Sequence, residues 1–216
     1  LTLDGVMNIT DLGGFGDGVY RLFNYTGALT DNGLLFGTAP APYDFILNTA
    51  TAGEINLTVA AATTQYWDGP NTSPTGAVEG GTGTWDAVTT NWTNAAGNAN
   101  FAWVDSLNAV FTGDAGTVTV ASGFAPTVSS LSFQTDGYQL AAAGTGAVNL
   151  ATDVPIIVTT GVTTISAPLT GAGGFTKTGG GALVLTGMSD YTGDTVLNDG
   201  QTTVASGGEI SDTDAL

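Results

Sequence analysis

Apolar residues at alternate positions, cut roughly every eight to twelve residues by glycine-rich bends, constrain the fold of this chain more than any other feature. Val118 and Val120, Leu131 and Phe133, Val148 and Leu150, Ile156 and Val158, and Leu183 and Leu185 each put two apolar side chains on one side of an extended backbone. A period of two buries one face of a strand and leaves the other wet. Between the pairs lie Thr135-Asp136-Gly137, Gly144-Thr145-Gly146, Gly171-Ala172-Gly173-Gly174 and Asn198-Asp199-Gly200, residues that turn a chain tightly. No stretch of helical period intervenes. The pattern predicts an all-β fold, either an antiparallel sandwich or barrel or a parallel β-solenoid whose coils stack. Thr-x-Thr and Val-x-Val runs with few charges favour the solenoid, where like faces lie over one another.

The rhythm divides the chain into three. Residues 1–64 alternate at Leu1-Thr2-Leu3, Val19-Tyr20-Arg21-Leu22 and Ile55-Asn56-Leu57-Thr58-Val59, and are read as coils ending a preceding unit. Residues 65–112 hold all four tryptophans, with Pro70, Pro74 and Gly80-Gly81-Thr82-Gly83 and little alternation, which predicts a loop or hairpin excursion. Residues 113–216 return to coils. Trp67, Trp85, Trp92 and Trp103 have two uses open to them. Exposed, they are candidates for binding a partner, stacking on sugar rings or anchoring a protein. Packed, each buries ~200 Å² and holds the excursion against the coils, the preferred reading.

Charge narrows the partners. Two Lys and Arg against 19 Asp and Glu give a net charge of −17, which offers no grip on nucleic acid or on anionic lipid. A partner surface is expected to be neutral or basic, and contact to weaken with salt wherever charge dominates. There is no Cys and no His, so thiolate and imidazole chemistry are absent. With Arg21 and Lys177 as the only basic side chains, no catalytic constellation, cofactor site or metal site is assigned. Gly13-Gly14-Phe15-Gly16-Asp17-Gly18 partly matches a calcium-binding nonapeptide, but one copy reads better as a glycine-rich corner. No apolar run is long enough to cross a membrane as a helix, and no leader is visible at Leu1, so the chain reads as a piece of something larger.

One stretch is recognisable. Gly173-Gly174-Phe175-Thr176-Lys177-Thr178-Gly179-Gly180-Gly181-Ala182-Leu183-Val184-Leu185-Thr186-Gly187, followed by Asp190-Tyr191-Thr192-Gly193-Asp194-Thr195-Val196, resembles the autotransporter-associated β-strand repeat, spanning about 173–204. Ser189-Asp190-Tyr191 stands where that repeat has Asn-Thr-Tyr, and Asp194 where a second Gly is common. Trp67-Asp68-Gly69, Gly83-Thr84-Trp85, Asn91-Trp92-Thr93 and the segment around Tyr20 are also similar to large bacterial surface autotransporters. The resemblance implies a right-handed parallel β-helix passenger, displayed at the cell surface or released. It also implies an outer-membrane barrel elsewhere in the full chain.

Its role would be attachment to host cells or matrix. The alternative is a passive stalk or self-association module carrying a functional head elsewhere. Gly113-Asp114-Ala115-Gly116 is similar to the serine-protease signature of some autotransporters, but Ala115 occupies the nucleophile's place. Within the repeat, Leu183 and Leu185 are expected to face a core and Val184 the outside, with positive φ at Gly179–Gly181. Eight or nine coils of about twenty residues would make a rod near 40 Å long.

Overall fold

The computed structural model describes residues 1–210; the end of the third sequence segment, 211–216, lies outside the described residues. From residue 64 onward the chain winds as a parallel β-solenoid. β6 (Thr64–Trp67), β10 (Leu107–Phe111), β12 (Val128–Phe133), β15 (Val154–Val158), β18 (Phe175–Thr178) and β20 (Thr195–Leu197) lie side by side in parallel on one face. A second face is built in the same way by β7 (Gly83–Trp85), β11 (Thr117–Val120), β13 (Gln139–Ala142), β16 (Val162–Ile165), β19 (Ala182–Leu185) and β21 (Gln201–Val204). β14 (Val148–Asn149) and β17 (Leu169–Thr170) pair in parallel on a third. From β10 and β11 onward register partners on neighbouring coils stand 19 to 25 residues apart, as Leu183 does from Thr202 and Leu131 from Ile156, whereas the first step of each stack spans 44 and 35 residues because the excursion lies within it.

Register turns the alternation into columns. Val118, Leu140, Ile165 and Leu185 lie over one another, as do Phe111, Phe133 and Val158, and all are buried. A single coil leaves such side chains open above and below. Stacking covers them, each fully buried apolar side chain contributing about 1.5–3 kcal/mol. Leu183 and Leu185 face inward and Val184 is half-exposed. Of the three corner glycines only Gly179 has positive φ, at 79°. Gly181 is there for room, since a Cβ would sit 2.7 Å from a Val158 methyl.

The stacks are shorter than the spacing predicts. Six strands make five steps of ~4.8 Å, about 24 Å, because much of the chain does not join the two stacks. β1 (Thr2–Met7) and β3 (Thr30–Phe36) do pair in parallel, and Phe36 bridges Ala99 in parallel. But β2 (Gly18–Asn24), β4 (Tyr43–Asn48) and β5 (Glu54–Ala61) form an antiparallel sheet in the order β2-β5-β4, where coils were expected. Only residues 49–53 link β4 to β5, which is enough for a hairpin but not for a parallel crossover of a dozen or more residues. β8 (Trp92–Thr93) and β9 (Asn100–Phe101) are also antiparallel, β8 to β6 and β9 to β8. Among the described residues no helix is long and apolar enough to cross a membrane.

Candidate functional site

The tryptophan-rich excursion folds back onto the solenoid. β8 runs against β6, so Trp92 lies opposite Trp67, and Phe101 on β9 lies opposite Trp92. Trp92 is the hub: its ring centre is 5.2 Å from Trp67, 4.8 Å from Trp85, 4.7 Å from Trp103 and 5.6 Å from Phe111. Phe111 in turn stacks on Phe133 at 4.7 Å, so the aromatic cluster continues the apolar column. Trp67, Trp85 and Trp92 are 0% exposed and Trp103 is 7% exposed.

These positions correct one use considered for them. A buried indole presents no face to a sugar or a partner protein, and the four serve as packing. The hairpin of β8 and β9 also reaches a second core of Phe36, Phe45, Leu57, Val59, Ala99 and Phe101, with Phe45 and Phe101 stacked 6.2 Å apart.

Buried polar side chains tie the excursion down. Asp68 is fully buried; its Oδ1 accepts from the Glu79 amide at 2.9 Å and its Oδ2 from Asn100 Nδ2 at 3.0 Å. Burial pushes its carboxyl above the usual range, with the Glu79 carboxylate adding to the rise and the two hydrogen bonds opposing it. Asn91 Nδ2 donates to the Gly69 and Thr84 carbonyls, and Gln65 joins the Ala102 carbonyl to the Val104 amide. Trp67 Nε1 donates to the Gly81 carbonyl at 2.8 Å. These amides and Asp68 were missed in the sequence. Their one signal was the placing of uncharged amides and Trp-Asp-Gly among tryptophans, where a burial site for polar groups must exist.

Outside this frame an open groove of about 640 Å³ runs along the first corner, lined by Pro70, Asn71, Val78, Glu79, Gly81 and Asp114 among others. Asn71 donates to the Glu79 carboxylate at its wall. Such a groove offers carboxylate acceptors and an apolar floor. Beside it Tyr138 donates to the Thr112 carbonyl at 2.6 Å, and burial pushes its hydroxyl up to about 12.

The other sequence candidates are dispersed. Ala115 is exposed on a corner. Just before the glycine-rich stretch, Asp11 Oδ1 accepts from the Gly13 amide at 2.7 Å, a local turn bond. Among the described residues no group of three or more metal-ligating acids forms. Arg21 pairs with Glu54 at 2.9 Å on the antiparallel sheet. Lys177 is 0% exposed, and its Nζ donates to the carbonyls of Thr178, Gly179 and Asp199.

No known family profile matches the chain, and no solved structure does. A curated protein does: the chain is 38% identical, over 218 aligned residues covering 95% of its length, to the protein called Adhesin BmaC autotransporter, from Brucella suis biovar 1 (strain 1330). The chain spans 6% of the length of that relative. Stacked parallel coils and identity along nearly the entire chain agree: the chain is a β-solenoid similar over 95% of its length to a segment of an autotransporter adhesin.

Proposed function

We propose that this segment is a non-catalytic part of an adhesive passenger, held at the bacterial surface and contributing to attachment to host cells or extracellular matrix. The observation that carries the reading is the similarity, across 95% of the chain, to a protein named an adhesin. The surface chemistry suits it. No strand of the two long stacks carries Asp or Glu, so the faces present Thr, Ser, Asn and small apolar groups, and the carboxylates of the solenoid sit at its corners and loops. A neutral matrix molecule meets no charge to desolvate on these faces, while the acidic corners turn away anionic ones.

The burial of all four tryptophans favours a second reading, a stalk that holds a binding head elsewhere in the passenger. Binding of the purified chain to cultured epithelial cells and to matrix-coated plates separates the two. Attachment predicts saturable binding that soluble chain competes away; binding no higher than that of an unrelated acidic protein would leave the stalk. If the faces make the contact, raising salt leaves binding unchanged, and if the corners do, it weakens.

A further inference from the structure

Folded chains are cut by proteases mainly at exposed loop tips, and the side chain just before the cut chooses the enzyme: an acidic pocket takes Lys or Arg, an apolar one Leu or an aromatic ring. With two basic residues, the chain has two bonds that suit the acidic pocket, and the fold locks both. Lys177 is fully buried, with its ammonium on three carbonyls. Arg21 is reachable, but it lies in the middle of β2, which is paired with β5 from Gly18 to Asn24, and its guanidinium holds Glu54 at 2.9 Å. A cut after it requires β2 to leave the sheet.

The link between β1 and β2 is the contrary case. Leu12 is 94% exposed, a large apolar side chain outside both cores. The link is tied at its ends, by the Ile9 amide donating to the Thr38 carbonyl at 2.7 Å and by the Tyr20 hydroxyl, which joins the amide and carbonyl of Gly16 at 3.0 and 2.8 Å. Between those ties, among the described residues, no backbone group from Thr10 to Phe15 pairs with another stretch of backbone; Asp11 Oδ1 accepts from the Gly13 and Phe15 amides. A Cβ added at Gly13 or Gly14 would meet nothing within 4 Å, so the tip stands clear of the protein. Other exposed apolar side chains at bends are held. Asp86 fastens the Val88 and Thr89 amides, and Met188 sits between Thr186 and Asp190, whose amides donate to Ile165 and Leu169 of the preceding coil.

We propose that Leu12–Gly13 is a processing site for a protease with an apolar specificity pocket, and that the folded chain resists proteases that cut after Lys or Arg. Water adds across that amide, hydroxyl to the Leu12 carbonyl carbon and hydrogen to the Gly13 nitrogen. Neither half depends on attachment to cells.

Chymotrypsin and trypsin, each added to the native and to the urea-unfolded chain and followed by mass spectrometry, test both halves. The first chymotryptic cut of the native chain is expected between Leu12 and Gly13. Trypsin is expected to cut the unfolded chain after Arg21 and Lys177 and to leave the native chain whole. Leu12→Lys moves the site from one enzyme to the other. Chymotryptic cutting there should slow at least about tenfold, because the apolar pocket must take a charge, and trypsin should now cut the native variant at that position. A first chymotryptic cut elsewhere would overturn the processing site, and so would a native Leu12→Lys chain that trypsin leaves whole. Tryptic cutting of the native parent chain would overturn the resistance.

Discussion

Thr163 stands inside the solenoid in register with Leu183, is 0% exposed, and its Oγ1 has no hydrogen-bond partner. A buried hydroxyl without a partner costs about 1–3 kcal/mol, so the nearly isosteric Thr163→Val should stabilise the chain by roughly 1 kcal/mol, read as a higher urea midpoint at unchanged m-value. Lys177 is the opposite case, a buried cation fully used. Its ammonium satisfies two carbonyls of its own corner and one of the next coil, so Lys177→Met should cost roughly 1–3 kcal/mol in the same measurement.

Both buried charges leave a mark on pH dependence. Burial lowers the Lys177 pKa below its ordinary 10.5, with the Asp199 carboxylate opposing the shift. The unfolded chain then holds the extra proton, and this group's contribution to stability rises as pH climbs from the folded pKa toward 10.5. Asp68 is raised instead, chiefly by burial, so the folded chain holds the extra proton and stability falls as pH rises from 3.8 through the folded pKa. Asp68→Asn should flatten that slope in urea melts taken upward from pH about 4, and an unchanged slope would assign it to other carboxylates.

Among the elements, β8 decides the character of the excursion. By running against β6 it brings Trp92 into the middle of three other tryptophans, and the cluster closes one end of the apolar column. Trp92→Ala should therefore cost about 3–5 kcal/mol and erase much of the near-ultraviolet dichroism, since the other three indoles lose their common partner. The tight corner before β19 is a second point of control. Gly179 has φ of 79° and its missing Cβ would press on the Val158 carbonyl of the coil beneath. Gly179→Ala meets both strain and overlap, and should lower the denaturation midpoint, whereas Gly180→Ala, with open space around it, should do far less.

For the chain as a unit, a charge of −17 with only two basic side chains makes self-repulsion a standing cost of compactness. Raising salt from about 10 mM to about 150 mM shortens the screening length from ~30 Å to ~8 Å and should raise the thermal midpoint. A midpoint that did not move would mean that the corner carboxylates are too far apart to interact. The last coil shows what stacking supplies. Leu197 and Val204 continue the inward columns of Lys177 and Leu185, yet are 55% and 44% exposed, because among the described residues no coil lies over them.

Strand positions and inward faces were legible in the sequence because they depend on local alternation. Leu183, Leu185 and Ile156 point inward whichever strand pairs with theirs. The corner glycines were legible too, and the autotransporter relationship could be read from the segment between Gly173 and Val196. The direction of pairing over the first 61 residues was not, since a period of two is common to parallel and antiparallel strands and only the five-residue link before β5 selects the hairpin. Burial of the tryptophans was the preferred reading of the sequence, but the depth of the stack and the partners the tryptophans meet were hidden for a related reason. Both depend on residues far apart in the chain meeting across coils, Trp92 on Trp67 and Asn100 on Asp68, and such meetings are settled by the packing energy of the completed fold.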